Sequence, residues 1–293
     1  MKYPSFLSHI VPVSAAGATL FCARSARIAA LAVLSALLLS GCLGRGKDKD
    51  NYVERPVDSI YNSAMTQMKS GKHAKAAKEF EEVERQHPYS TWAARSLVMA
   101  AYSYYEANKY DEAIIAAKRY ITLHPGGTDA AYASYLIAAS QYEQITDIGR
   151  DQQVTAKALK SLQDVLRKYP DSDYAKDAKL KIDLARDHLA GKEMEIGRYY
   201  IKKKSYLAAI SRFKKVVTDY QTTTHIEEAL MRLTELYMTM GVKSEAQTAA
   251  AVLGHNYPGS KWYDDAYKLL KSGGLEPRED KASWISRAYK SIF

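Results

Sequence analysis

Two cysteines in 293 residues, Cys22 and Cys42, leave no disulfide framework for anything folded beyond Cys42. No Cys-x₂-Cys or His-x₃-His spacing occurs, so a zinc site has no ligand set. A phosphate-cradling glycine loop and a G-x-S-x-G elbow are also missing. The seven histidines are scattered, and three of them (His87, His124 and His255) sit at or near turns. The acidic pairs Glu227-Glu228 and Asp264-Asp265 stand where helices begin, a place where acids complement the helix dipole rather than act as an acid/base couple. No catalytic residue, cofactor site or metal site is therefore expected. The net charge of +9 is mild for a long surface, and no basic run has a nucleic-acid footprint.

What the chain has in quantity is tyrosine, 23 against 3 tryptophans and 5 phenylalanines, and apolar residues at helical spacing. Ala94–Pro125 (ARSLVMAAYSYYEANKYDEAIIAAKRYITLHP) shows the pattern best. Two amphipathic runs flank Asn108-Lys109, which predicts a helix, a turn and an antiparallel helix. Ala101 and Ala113 stand where such a pair must approach closely, Leu97, Tyr104, Ala117 and Tyr120 fill the seam, and Pro125 ends the second helix. This resembles a tetratricopeptide repeat.

The same pattern can be registered along the chain. Repeat one is Val57–Pro88, with Ala64, Ala76, Phe80 and Gly71 in their places. Repeat three runs from Asp129 to Pro170, with Ala158 as its small residue and a lengthened turn at Asp147–Gln153. Repeat four keeps Gly197, Tyr200, Ala209, Phe213 and Val216, but Gln221 stands where the closing proline would be. Repeat five, Glu227–Pro258, restores Leu230, Leu233, Tyr237, Ala246 and Leu253. The wide spacing before Gln221 predicts an extra or unusually long helix within Asp173–Lys204, with Gly191 as the place for a bend. Ser90, Thr128, Ser172, Thr223 and Ser260 follow the closing positions and are expected to cap the next helices. Trp262–Lys271 reads as a capping helix, and the tail after Gly274 is open to three readings: docking on a partner, docking on the repeats, or fraying. The expected fold is all-α, a solenoid of about five tetratricopeptide repeats over residues 57–271.

The amino terminus reads as a targeting segment. Arg24 and Arg27 precede Ile28–Ser40 (IAALAVLSALLLS), thirteen residues that suit a signal-peptide core and fall short of a bilayer span. Leu39-Ser40-Gly41-Cys42 resembles a bacterial lipobox, which implies cleavage of residues 1–41 and acylation of Cys42. Leu43, rather than aspartate, follows the cysteine, and by the same resemblance the destination is the periplasmic face of the outer membrane. Residues 42–56 are polar and form a lipidated tether that reaches roughly 50 Å when extended.

With catalysis set aside, a binding surface remains. In this repeat class the first helix of each pair lines the inner face. Its unused positions are Tyr61, Met65 and Met68 in repeat one, and Arg95, Val98, Tyr102 and Tyr105 in repeat two. They predict a peptide groove of adaptable apolar pockets with one cation, unless some of them fill seams.

His87–Ser96 (HPYSTWAARS), Leu123–Leu136 (LHPGGTDAAYASYL), Arg186–Tyr200 (RDHLAGKEMEIGRYY) and Tyr257–Leu270 (YPGSKWYDDAYKLL) are more specific than repeat spacing. Together with the lipobox and tether, they resemble the tetratricopeptide-repeat lipoproteins of the outer-membrane β-barrel assembly machinery, of the alphaproteobacterial type. The resemblance covers Cys42 to about Lys271. It implies a non-enzymatic subunit whose carboxy-terminal repeats dock a periplasmic domain of the barrel subunit, alongside accessory lipoproteins. It also implies that the amino-terminal repeats meet the carboxy-terminal signal of unfolded outer-membrane proteins. Arg212 matches the family arginine that pairs with an acid of the barrel subunit. The competing reading is a periplasmic repeat scaffold for cell-division or envelope-polymer machinery, which would share the solenoid without the barrel partner.

Overall fold

The computed structural model describes residues 54–290. The expected signal peptide, Cys42 and nearly all of the tether lie outside the described residues, as do Ile292 and Phe293. Among the described residues all regular structure is helical, in twelve helices. The pairs are α1 (Val57–Lys69) with α2 (His73–Gln86), α3 (Thr91–Glu106) with α4 (Tyr110–Leu123), and α5 (Ala130–Glu143) with α6 (Gln153–Lys168). They continue with α7 (Asp173–Lys202) and α8 (Tyr206–Asp219), then α9 (Ile226–Thr239) and α10 (Lys243–Asn256). Two shorter helices, α11 (Lys261–Ser272) and α12 (Trp284–Lys290), follow. None of the described helices is long and apolar enough to cross a membrane.

Alanine sets the spacing of these pairs. Ala64, Ala76, Ala101, Ala113, Ala158, Ala209 and Ala246 are all fully buried, because a methyl group is the largest side chain that fits where two helix backbones cross closely. Larger residues then fill the seams: Phe80, Leu97, Leu162, Phe213, Leu230, Leu233 and Leu253 are buried. The first helices of successive repeats, α1, α3, α5 and α7, touch one another, and each second helix packs between first helices. The first helices therefore form one continuous row.

The second helices end in one way. His87, His124, Tyr169, Tyr220 and Tyr257 leave the helix at φ between −131° and −135°, and each donates its N–H to the carbonyl four residues earlier. In four of the five cases a proline follows, and proline disfavours helical backbone in its predecessor. Tyr220 adopts the same form with Gln221 after it, so packing alone suffices there.

One expectation is met by an unbroken long helix, one needs correction, and one open reading is decided. The long helix α7 runs as one α-helix of 30 residues, about 45 Å, through Gly191. Gly191 is there for space: a Cβ at that position would stand 3.1 Å from Nε2 of His225 and 3.2 Å from Cδ1 of Ile148. The amino-terminal half of α7 closes repeat three through Ala178 and Ile182, and its carboxy-terminal half opens repeat four through Met194 and Gly197. One helix thus joins two hydrophobic cores.

The hydroxyl caps hold only in part. Ser90 accepts from the N–H of Trp92 and Ser260 from the N–H of Trp262, both at 3.2 Å. Ser172 and Thr223 instead turn back and donate to the carbonyls of Tyr169 and Tyr220. Thr128 is one residue too early, since Asp129 holds the cap position of α5. A hydroxyl beside a tight turn has the turn's own carbonyl within reach as an alternative partner to the cap.

The tail docks on the repeats. Residues 275–290 lie against α8 and α10, with Ile285 fully buried and Trp284 Nε1 donating to the Tyr237 hydroxyl at 3.1 Å. Gln221 Nε2 donates to the carbonyl of Ala288 at 3.1 Å, so the residue that breaks the proline pattern helps to tie down α12.

Candidate functional site

Of the seven groove positions, two lie in the interior. Tyr61 is 7% exposed, edge-on to Phe80 at 5.4 Å between ring centroids and tilted against Trp92 at 4.6 Å. Val98 is buried in the same core. Tyr61 fills the seam between α1, α2 and α3, and with Val98 also buried neither side chain lies on the open face. Met65, Met68, Tyr102 and Tyr105 are half-buried and pack on the rim of that core. Arg95 is exposed and makes no ion pair among the described residues.

The row continues beyond these positions onto α5 and α7. Tyr132 and Tyr135 sit thirty residues after Tyr102 and Tyr105, at the same three-residue spacing. The ring of Tyr174 from α7 stacks on both, at 5.0 Å on Tyr132 and 5.2 Å on Tyr135. Burial raises the pKa of Tyr132, and the nearby phenols of Tyr102 and Tyr174 add to the shift. Tyr105 is pushed up to about 12, first by burial and then by the Glu143 carboxylate, to which it donates at 3.4 Å. Tyr135 donates to Asp177 at 2.5 Å, and Lys181 lies over the Tyr142 ring at 5.0 Å. The groove positions predicted from repeats one and two leave out Tyr132, Tyr135 and Tyr174, although the repeated spacing is the signal for the first two. Five phenols on three consecutive first helices offer apolar ring faces, with the hydroxyl protons of Tyr105 and Tyr135 committed to Glu143 and Asp177 and their oxygens left as acceptors. Such a surface binds side chains by stacking and main chain by hydrogen bonds without demanding one sequence.

Arg212 lies on α8, half-buried, and donates from Nη1 to Oε2 of Glu193 at 3.1 Å. The second oxygen of Glu193 accepts from Lys215 Nζ at 2.6 Å. The Arg212 charge is thus partly committed within the chain, while one cation in excess remains at this face. The described residues contain no group of acids, histidines and cysteines that could hold a metal ion.

A family profile described as "Outer membrane lipoprotein" (YfiO) matches residues 53–253. The chain is 50% identical over 247 residues to the outer membrane protein assembly factor BamD of Caulobacter vibrioides, covering 84% of this chain and 81% of that one. It is 45% identical over 245 residues to the factor of the same name from Rickettsia prowazekii, covering 84% and 96%. A solved tetratricopeptide-repeat protein of Thermus thermophilus is 17% identical, with a TM-score of 0.32 over 74% of this chain and 100% of that one. From the matched profile and the identity to these relatives, the chain belongs to the outer membrane lipoprotein family of outer-membrane protein assembly factors.

Proposed function

We propose that this outer-membrane protein assembly factor works as a non-catalytic, lipid-anchored scaffold on the periplasmic face of the outer membrane. Its inner tyrosine row receives extended segments of unfolded outer-membrane proteins, and its Arg212 face docks the barrel subunit of the assembly complex. The observation that carries the client reading is the contact of Tyr132, Tyr135 and Tyr174 with one another across α5 and α7, in line with Tyr102 and Tyr105 of α3. An unfolded barrel strand alternates apolar and polar side chains, and a row of half-buried rings can take alternate residues along it. Ordering such a segment costs conformational entropy, so each encounter is weak and tolerant of sequence.

Anchoring falls to the acylated Cys42, with residues 42–56 as the tether, and the accessory lipoproteins of the complex join the same scaffold. Cys42→Ser is expected to leave unprocessed precursor without acyl label. The client reading is tested by placing a photo-crosslinking residue at 102 or 135 and offering peptides from barrel-protein carboxy-termini. Labelling at both, with little at the exposed Ile115 of α4, supports it. Equal labelling at all three positions rejects it.

A further inference from the structure

Charge is distributed unevenly in one stretch. Between Glu195 and Asp219 the chain carries no acid and seven cations. Four of these are tied to distant parts of the chain: Arg198 to Glu228 at 2.9 Å, Arg212 and Lys215 to Glu193, and Lys214 over the Trp284 ring at 4.8 Å. The other three, Lys202, Lys203 and Lys204, are consecutive and exposed at the turn from α7 to α8, and they make no ion pair among the described residues. The acid just upstream, Glu195, is held by Lys192 at 3.2 Å.

Apolar groups flank these lysines on the same turn. Tyr199 is 55% exposed, with Lys203 Nζ 5.7 Å from its ring centroid, and Leu207 is 72% exposed. Their neighbours Tyr200 and Tyr206 pack against the core instead.

The backbone adds an independent observation. The turn position held by Gly71 (φ 75°), Asn108 (φ 56°) and Gly241 (φ 75°) in repeats one, two and five is held in repeat four by Lys204 (φ 56°). Left-handed backbone is unfavourable for a lysine and free for glycine. A strained residue at an exposed turn points to a role other than folding.

We propose that Lys202–Lys204, with Tyr199 and Leu207, form a docking surface for an anionic phospholipid bilayer. The three ammonium groups meet headgroup phosphates, while the phenol and the leucine enter the interfacial layer, where such side chains partition. Each lysine at an anionic surface contributes a factor of about five in affinity. Lysines on flexible stems suit diffuse charge, whereas fixed carboxylates of a protein partner are better matched by arginine forks. The surface orients the repeats on the membrane to which Cys42 tethers them, so the proposal rests on the anchoring read above.

The test uses the full acylated chain reconstituted into phosphatidylcholine vesicles with or without phosphatidylglycerol. Flotation reports anchoring by itself. An environment-sensitive fluorophore at Leu207→Cys, with Ile115→Cys as the control, reports contact through quenching by bilayer-embedded brominated lipid. The expected result is quenching at 207 well above 115 that requires phosphatidylglycerol and fades at high salt. Lys204→Gly should weaken the contact about fivefold while raising Tm, because it removes a charge and relieves the backbone together. If vesicles float with the protein but 207 is quenched no more than 115, or equally without anionic lipid, the surface is not a membrane contact. A fall in Tm for Lys204→Gly assigns the lysine to the fold and overturns the proposal. Crosslinking of a photoreactive group carried instead at Leu207→Cys to an acidic protein in intact envelopes overturns it in favour of a protein partner.

Discussion

Arg212 donates from Nη1 to Oε2 of Glu193 at 3.1 Å, linking α8 to the carboxy-terminal half of α7. Glu193 keeps only 9% of its side chain exposed, whereas Arg212 keeps 39%. Lys215 holds the other carboxylate oxygen at 2.6 Å, and the Glu193 carboxylate raises the lysine's pKa. The two cations are not equivalent to the carboxylate between them: each has access to water, and it does not.

Arg212→Ala should therefore cost the isolated chain less than about 1 kcal/mol, because Lys215 still satisfies Glu193 and a half-exposed pair is weak. Arg212→Glu places a second carboxylate beside Glu193 and should cost more, and it should also lower recovery of the barrel subunit on co-purification. Thermal unfolding separates the two effects. Arg212→Ala with unchanged Tm and unchanged barrel recovery would leave the residue without a docking role.

Gly197 makes a sharper prediction about packing. A Cβ there would stand 2.6 Å from Cε1 of the fully buried Phe213. Alanine improves helix propensity by about 1 kcal/mol, but overpacking typically costs about 1–3 kcal/mol. Gly197→Ala should lower Tm, and adding Phe213→Leu should recover part of the loss. A single mutant as stable as the parent would show that the ring can move aside.

The tail helix α12 should stabilise the last repeats and not the first. Ile285→Ala removes a fully buried side chain and should cost about 2–4 kcal/mol. Hydrogen exchange is expected to speed up in α8 and α10 and to stay unchanged in α2 and α4, whose core is separate. Uniform acceleration across all the repeats would contradict that division.

Alkaline unfolding should be steep. Burial raises the pKa of Tyr102, Tyr104, Tyr105, Tyr132, Tyr135 and Tyr174 above the usual 10.0, Tyr105 to about 12. A phenol with a higher pKa when folded binds more protons in the native state. Its stabilising contribution is complete below pH 10 and falls as pH rises through the folded value. Tyr105→Phe should flatten the loss between about pH 10 and 12, measured by circular dichroism. An unchanged slope would mean that this phenol is open to water.

The repeat pattern was legible in the sequence because it rests on local periodicity. Buried alanines at helix crossings, the Asn108 turn and the closing prolines each depend on neighbours within one hairpin. The five-repeat all-helical solenoid follows from them. Tyr61 and Val98 show the limit of that reading. Both lie on a first helix where the inner face begins, and helical spacing cannot separate a residue at the lip from one in the seam. Trp92 from the next repeat and Phe80 decide it for Tyr61.

By itself, the sequence determined which residues pair into hairpins and that these must stack, since no hairpin can bury its own apolar face. It also carried the family, through long local motifs. Only the tertiary structure decided what happens between hairpins. It carries α7 unbroken through Gly191 to join two cores, and it uses Gln221 to hold the tail helix 67 residues away. It also turns part of the Arg212 charge inward to Glu193, 19 residues earlier in the chain. These contacts join residues that no local period links, so they exist only once the repeats have stacked.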